Sequence, residues 1–361
     1  MSAIAGRRLR VAVVGTGFGA TVQLPGFQGC PRTEVVAVAA RSEAHARTAA
    51  ARFGVPHAFT DIDAVLELDG LDAVSIASPP ATHHDLALAA LRAGKHVLCE
   101  KPFALHQDEA EEMLAEARRT GLTAMVDHEF RWLPARAYFG QLVREGWLGE
   151  LRSLNVTRFR GGPTLAQRPW SWHADAGQGG GLLADSGSHL IDAIRAWFGE
   201  FAGVFGQLDT WITDRRTPAG GFRPVTADDA CAFLGRLQCG ALVTVALSNA
   251  APFGEGIEVQ AYGSAGALLI APDGTLRGAR SGDTALAPLP IPEAFYRRDL
   301  VSHLPEASDE RLMPFMALVE AFCGWALDGV PASPSFEDGV RNQRIADAIV
   351  RSATEGRWIA V

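Results

Sequence analysis

Residues 179–194 read "GGGLLADSGSHLIDAI". Asp185 and His189 stand four apart, a spacing that on a helix puts both side chains on one face, one turn apart. Imidazole titrates near neutrality and can pass a proton in either direction. A carboxylate one turn earlier can steady the imidazolium or bond to a substrate hydroxyl. Asp192, a further turn along, suits substrate contact, a cap or a salt bridge. Leu182, Leu183, Leu190, Ile191 and Ile194 predict a buried element, so a structural ion pair is the competing reading. The glycines before it are expected to let backbone approach a ligand closely.

A second chemical signal is "HVLCEKPFAL". Glu100, Lys101 and Pro102 close an apolar strand, and in an open α/β sheet that end faces the ligand crevice. Pro102 biases Lys101 towards extended backbone. A lysine held there can polarise a carbonyl or alkoxide oxygen; the alternative is a surface lysine.

A third is the turn Gly15-Thr-Gly17-Phe18-Gly19-Ala20, between a strand and a helix. Gly15 is read as the tight turn, Gly17 as the backbone approach to a pyrophosphate, and Ala20 as the close helix–strand contact. The anion then sits on the helix N-terminus. The next strand ends Ala39-Ala40-Arg41-Ser42, without the acid that would hold the ribose 2′-OH of NAD. Arg41 can pair with a 2′-phosphate and Ser42 can donate to it, so NADP is expected, with NAD possible. A helix cap at Ser42 and a solvated Arg41 are the alternative.

The elements that position these residues alternate. Continuous apolar runs ("LRVAVV", "EVVAVAA", "DAVSIAS", "HVLCE", "TAMVDHEF") are separated by amphipathic helices, the first expected to break at Pro25. This is the doubly wound parallel pattern, expected over residues 1–126. Residues 127–361 change character: a helix near 134–146, then alternating strands with a hairpin turn in "LQCGALV". They predict an α/β substrate-binding domain with an open, largely antiparallel sheet. The uncovered sheet face predicts a homo-oligomer, a dimer or tetramer. Residues 281–311 show no clear element, and helices near 312–326 and 336–354 close the chain.

Length and composition agree. A chain of 361 residues prompts two domains. Its net charge of −8 excludes the basic footprint of a nucleic-acid binder. No apolar run is long enough to span a membrane, and no signal-peptide core precedes the first arginines, so a cytoplasmic protein is expected. Five scattered cysteines show neither a disulfide framework nor a metal-ligand spacing.

"VAVVGTGFGA", "SPPATHHDLALAALRAGKHVLCEKPFAL", "DHEFRWLPA", "GGGLLADSGSHLIDAI" and "PSFEDGVRNQRIADAIVRSA" together resemble the Gfo/Idh/MocA oxidoreductases over nearly the whole chain. The resemblance implies an N-terminal Rossmann domain, a C-terminal α/β domain that oligomerises through its open sheet, and a catalytic trio at Lys101, Asp185 and His189. It matches Pro79 and His83 to a turn beside the nicotinamide, and Arg131 to an arginine near the site. Ser78 and Glu100, in the same turns, join the expected cofactor-binding residues. Trp172 and His173 are expected to line a substrate pocket, with plain packing as the alternative for the tryptophan. The implied activity is hydride transfer between a nicotinamide cofactor and a sugar, cyclic polyol or related small molecule. A glycosidase working by transient oxidation and a non-catalytic dinucleotide sensor remain as alternatives.

Overall fold

The computed structural model describes residues 6–162, 165, 167–304 and 309–361. Strands β1 (Leu9–Val14), β2 (Thr33–Ala39), β3 (His57–Phe59), β4 (Ala73–Ile76), β5 (His96–Glu100) and β6 (Ala124–Asp127) form one sheet. Its order is β3-β2-β1-β4-β5-β6, and every pairing is parallel. All but the short, exposed edge strand β3 are largely apolar, because both faces are covered. On one face Ala87, Leu91 and Met113 of two helices pack with Phe103, Phe336 and Val340. On the other lie Val22, Leu24 and Phe27, with Phe315, Leu318, Val319 and Phe322 of the helix Leu312–Asp328. The Phe27 and Phe315 rings meet edge to face, centroids 5.4 Å apart.

The chain divides into two compact units, Met1–Trp132 with Tyr296–Arg341, and Leu133–Phe295 with Asn342–Val361. The second unit carries β7 (Leu151–Phe159), β8 (Phe201–Asp209), a small hairpin of β9 (Asp214–Arg216) and β10 (Phe222–Pro224), β11 (Ala230–Leu237), β12 (Leu242–Ser248), β13 (Gly256–Gly263), β14 (Gly266–Ile270), β15 (Leu276–Arg280), β16 (Ala287–Pro288) and β17 (Ile359–Ala360). Among the described residues the large sheet runs β16-β15-β14-β13-β7-β12-β11-β8-β17, with β7 and β12 its parallel pair. Burial alternates along β11 and β12, the signature of a sheet covered on one face. Val156, Val204, Phe233, Val243 and Val245 face a core closed by Phe139, Ile191, Ile194 and Ile349. Phe205, Leu234, Leu242 and Tyr262 are more than a third exposed.

Several local expectations are corrected. Pro25 does not break its helix: the helical backbone runs from a π-helical turn, Gly19–Gln23, straight into Leu24–Gly29, and Pro25 falls just after the π turn. The fifth apolar run stops at Asp127, and Glu129–Trp132 is a tight helical turn. The stretch 281–311 is not featureless: it contains β16, a turn at Glu293–Tyr296 and the helix Arg298–Val301. Residues 305–308 of it lie outside the described residues. No helix among the described residues is long and apolar enough to cross a membrane.

Candidate active site

In the first unit the strand order reverses between β1 and β4, the switch point at which open α/β sheets bind ligands. The turns after both strands meet there. Gly15 has φ +115°, and a Cβ on it would lie 2.3 Å from the Ala77 carbonyl oxygen, so glycine is obligatory. Gly19 is buried, and a Cβ there would press on Val13 at 3.1 Å. The close helix–strand contact therefore belongs to Gly19 rather than to half-buried Ala20. Gly17 differs from both: a Cβ would meet no protein atom within 4 Å. The fold does not need glycine at 17, whereas a backbone that closely approaches a pyrophosphate does. A π-helical turn, Gly19–Gln23, follows. Phe18, in the same turn, lies under the Arg311 guanidinium at 5.0 Å.

Arg41 is exposed and Ser42 half-buried beyond the end of β2. Ser42 occupies the N-cap position of Glu43–Phe53, yet its side chain makes no capping bond. Its hydroxyl and the Arg41 guanidinium are both available at the strand end.

The turns after β4 and β5 are tied together by His83. Its ring is fully buried, with Nδ1 3.0 Å from the Pro102 carbonyl oxygen and Nε2 2.9 Å from that of Ser78. Burial holds its pKa below the ordinary histidine value. His83 thus acts as a strut between Ser78–Pro79 and Lys101–Pro102. The Ser78 hydroxyl pairs with Thr82 at 2.6 Å.

Beneath Lys101 lies a cluster of carboxyl groups of which sequence reasoning named only Glu100, as a cofactor contact; Asp127 and Glu129 were missed. Glu100 and Asp127 stand side by side on β5 and β6, and Glu129 follows, all buried. Gln23 Nε2 donates to Glu100 Oε1 (2.9 Å) and Asp127 Oδ2 (3.2 Å), while Ser75 Oγ donates to Gln23 Oε1 (2.8 Å). The Lys101 N–H donates to Glu100 Oε2 at 3.2 Å. Burial pushes the Glu100 carboxyl up to about 7, and burial with neighbouring carboxylates pushes Asp127 and Glu129 well up.

The sign of the linkage follows. An unfolded Glu100 loses its proton near the ordinary glutamate value of 4.5, but the folded one keeps it until about 7. Its contribution to stability is therefore present below pH 4.5 and falls as pH rises between those values, by about 3 kcal/mol. Urea melts at pH 5 and pH 8 should show this fall. Asp127→Asn places a donor at the Oδ1 position and should flatten it.

In the second unit the sixteen-residue stretch is not one regular helix. Asp185 lies in a π-helical turn, Leu183–Gly187, that runs into the α-helix Ser188–Phe198 carrying His189 and Asp192. Such single π turns are frequent at functional sites. The glycines serve the protein itself. A Cβ on Gly180 would strike the Trp172 and His173 carbonyls at 2.6 Å, and one on Gly181 would strike Asp228 Oδ1 at 2.2 Å. Asp228, which sequence reasoning also missed, accepts the Leu183 N–H at 2.9 Å and so anchors the Asp185 turn. Burial raises its carboxyl to about 6. Ser171, His173, Asp185, Arg215 and Asp228 line a recess here. The Trp172 ring stacks on His173, centroids 3.7 Å apart. Asp192 is buried and accepts from Asn342 Nδ2 (3.1 Å), whose Oδ1 accepts from Arg195 (2.7 Å). Arg131, in the first unit, donates to Ser333 Oγ (2.6 Å) and pairs with Asp338.

Comparison with known proteins gives the family. Residues 9–128 match the oxidoreductase-family model with an NAD-binding Rossmann fold, and residues 137–269 match the GFO/IDH/MocA C-terminal domain. An uncharacterized oxidoreductase of Synechocystis sp. is 30% identical, covering 98% of this chain and 96% of that protein. The levoglucosan dehydrogenase of Pseudarthrobacter phenanthrenivorans is 30% identical over 88% of this chain and 86% of its own. A solved levoglucosan dehydrogenase in complex with NADH and levoglucosan has a TM-score of 0.89 at 27% identity, over 98% of this chain and 99% of that one. The chain therefore belongs to the Gfo/Idh/MocA family of oxidoreductases, with an NAD-binding Rossmann domain followed by the family's C-terminal domain.

Proposed function

We propose that the protein transfers a hydride between a nicotinamide dinucleotide and a sugar, cyclic polyol or related alcohol–carbonyl pair. The observation that carries this reading is the retention of Lys101, at the crevice end of β5, together with Asp185 and His189 on the π-turn-to-helix segment. A sensor has no need of all three. Relatives whose names specify sugar substrates support the substrate class.

The dinucleotide, when bound, supplies or accepts the hydride. Gly15, Gly17, Phe18, Gly19 and Ala20 would hold its pyrophosphate end, and Ser78, Pro79 and Glu100 its nicotinamide side. The Lys101 ammonium stabilises negative charge on the substrate oxygen. His189 takes or returns the hydroxyl proton, and Asp185 favours the imidazolium. Arg131, Trp172, His173 and Asp192 are assigned to the substrate side. Their bonds within the protein make them supports for its shape as much as contacts. A second copy of the chain would cover the exposed Phe205, Leu234, Leu242 and Tyr262 of the open sheet.

The finer cofactor reading is NADP, because β2 ends without an acid and the Ser42 hydroxyl makes no cap bond. Ala40→Asp should lower NADPH affinity relative to NADH by about tenfold or more, roughly 1.4 kcal/mol. Calorimetric titration of the nucleotide-free protein with both cofactors checks this, and an unchanged ratio would remove the assignment.

A further inference from the structure

Residues 158–173 and 213–224 carry six arginines, Arg158, Arg160, Arg168, Arg215, Arg216 and Arg223, against one acid, Asp214. That is a local reversal in a chain whose net charge is −8. Hydrogen bonds bring the two segments together. The Trp170 N–H donates to the Arg216 carbonyl oxygen at 2.6 Å, and Trp170 Nε1 donates to that of Pro224 at 3.1 Å. We propose that this arginine-bearing wall sets the substrate class: Arg158 and Arg215 hold an anionic group, a carboxylate or a phosphate, on the sugar or polyol that reacts beside Asp185. The inference rests on the reading of Asp185 as part of the reacting site, and it narrows the substrate to acidic members of the proposed class.

The first argument is how the two guanidinium groups are held. Arg215 lines the same recess as Asp185. Its Nη1 donates to the Leu165 carbonyl oxygen at 2.8 Å and to that of Arg168 at 3.1 Å. Arg158 Nη1 donates to Asn249 Oδ1 at 2.9 Å, and Asn249 lines the recess as well. Every one of these acceptors is neutral. Among the described residues neither guanidinium has a carboxylate within ion-pair distance, and on both the Nε and Nη2 groups meet no acceptor. That free Nε–Nη2 edge is the one that grips a carboxylate or phosphate through two parallel bonds. Both side chains are half-buried. Burial and then the Arg168 charge hold the Arg215 pKa below the ordinary arginine value, as burial and then Arg160 do for Arg158. A partly desolvated cation without a counter-charge is costly, and a ligand anion relieves that cost.

The second argument is that the neighbouring charges are engaged elsewhere. Asp229 accepts the Trp211 N–H on one oxygen at 2.9 Å and the Ile212 N–H on the other at 2.7 Å. Asp228 accepts the Leu183 N–H at 2.9 Å. Backbone amides therefore answer these two acids of the recess. Arg223 lies on the Trp170 ring at 3.6 Å and Arg216 over the Phe222 ring at 5.3 Å, so both are spent on building the wall. Arg158 and Arg215 are the members that face the recess with donors to spare. A neutral sugar would accept hydrogen bonds from them but leave their charge unmatched.

The test is calorimetric titration of the full chain, saturated with reduced dinucleotide, with glucose, glucuronate and glucose-6-phosphate. The three share a ring and differ in the group at one end of it. At least one acid should bind about tenfold or more tighter than glucose, the scale of a hydrogen bond to a charged group. The two acids separate a carboxylate site from a phosphate site, and the advantage should shrink as salt is added. Arg215→Gln and Arg158→Gln should each remove most of the advantage while glucose binding changes little. A wild type that binds neither acid better than glucose overturns the proposal, a result that requires no variant to fold. So does an advantage that survives both substitutions. Nicotinamide absorbance with the same three compounds separates this proposal from the reading it rests on. An acid that binds through these arginines but is never turned over leaves the anion site standing and removes the oxidoreductase reading. A neutral sugar turned over in preference to both acids does the reverse.

Discussion

Lys101→Met and His189→Ala should each lower turnover by at least about 100-fold while leaving dinucleotide affinity within a few-fold of wild type. Positioned proton transfer contributes about 10²–10⁴-fold, and loss of one group stabilising charge on an oxygen costs about 10²–10³-fold. The two losses should differ in kind. Without His189 the hydroxyl proton has no acceptor, so added imidazole should restore part of the rate. Without Lys101 the charge on the oxygen is unstabilised, and no soluble base should help. Steady-state rates with and without imidazole, beside calorimetric cofactor titrations, check both statements. Equal loss of cofactor binding would place these residues in the nucleotide site instead.

Gly17→Val should lower dinucleotide affinity by about 100-fold or more, roughly 2.7 kcal/mol, with the melting temperature of the nucleotide-free protein nearly unchanged. The side chain enters space that no protein atom occupies within 4 Å. Gly15→Val should destabilise the fold itself, because its Cβ falls 2.3 Å from the Ala77 carbonyl oxygen at a φ of +115°. Comparing the two separates the part of the motif that binds from the part that folds. A Gly17→Val protein that melts early would mean that position 17 serves the fold.

Much of this architecture is legible in the chain. Strands β1, β2, β4, β5 and β6 announce themselves because they are buried on both faces and therefore read as unbroken apolar runs. The helix Gln107–Thr120 is legible from Ala110, Met113 and Ala117, which bury one stripe. What is hidden depends on contacts between distant segments. Nothing local marks Leu312–Asp328 as cover for the first sheet, because its apolar residues suit any core. The π turns at Gly19–Gln23 and Leu183–Gly187 have no compositional signature, so Asp185 and His189 read as one regular helix. Gln23, Asp127 and Glu129 look unrelated to Glu100 until the sheet order brings β5 and β6 together beside Gln23. Asp228 is a similar case: its neighbour Asp229 looks equivalent in sequence, yet Asp228 anchors Leu183 while Asp229 accepts the Trp211 and Ile212 N–H groups. The glycine motif was legible in kind but not in detail, since the tight contact falls on Gly19.

The most direct test of the central claim is the nicotinamide absorbance during turnover, followed over a panel of sugars, cyclic polyols and their keto forms, for wild type and His189→Ala. The account expects at least one substrate to give a stoichiometric absorbance change that the variant loses. Cleavage of a glycoside with no net change in the cofactor, or tight cofactor binding with no turnover of any panel member, would contradict it.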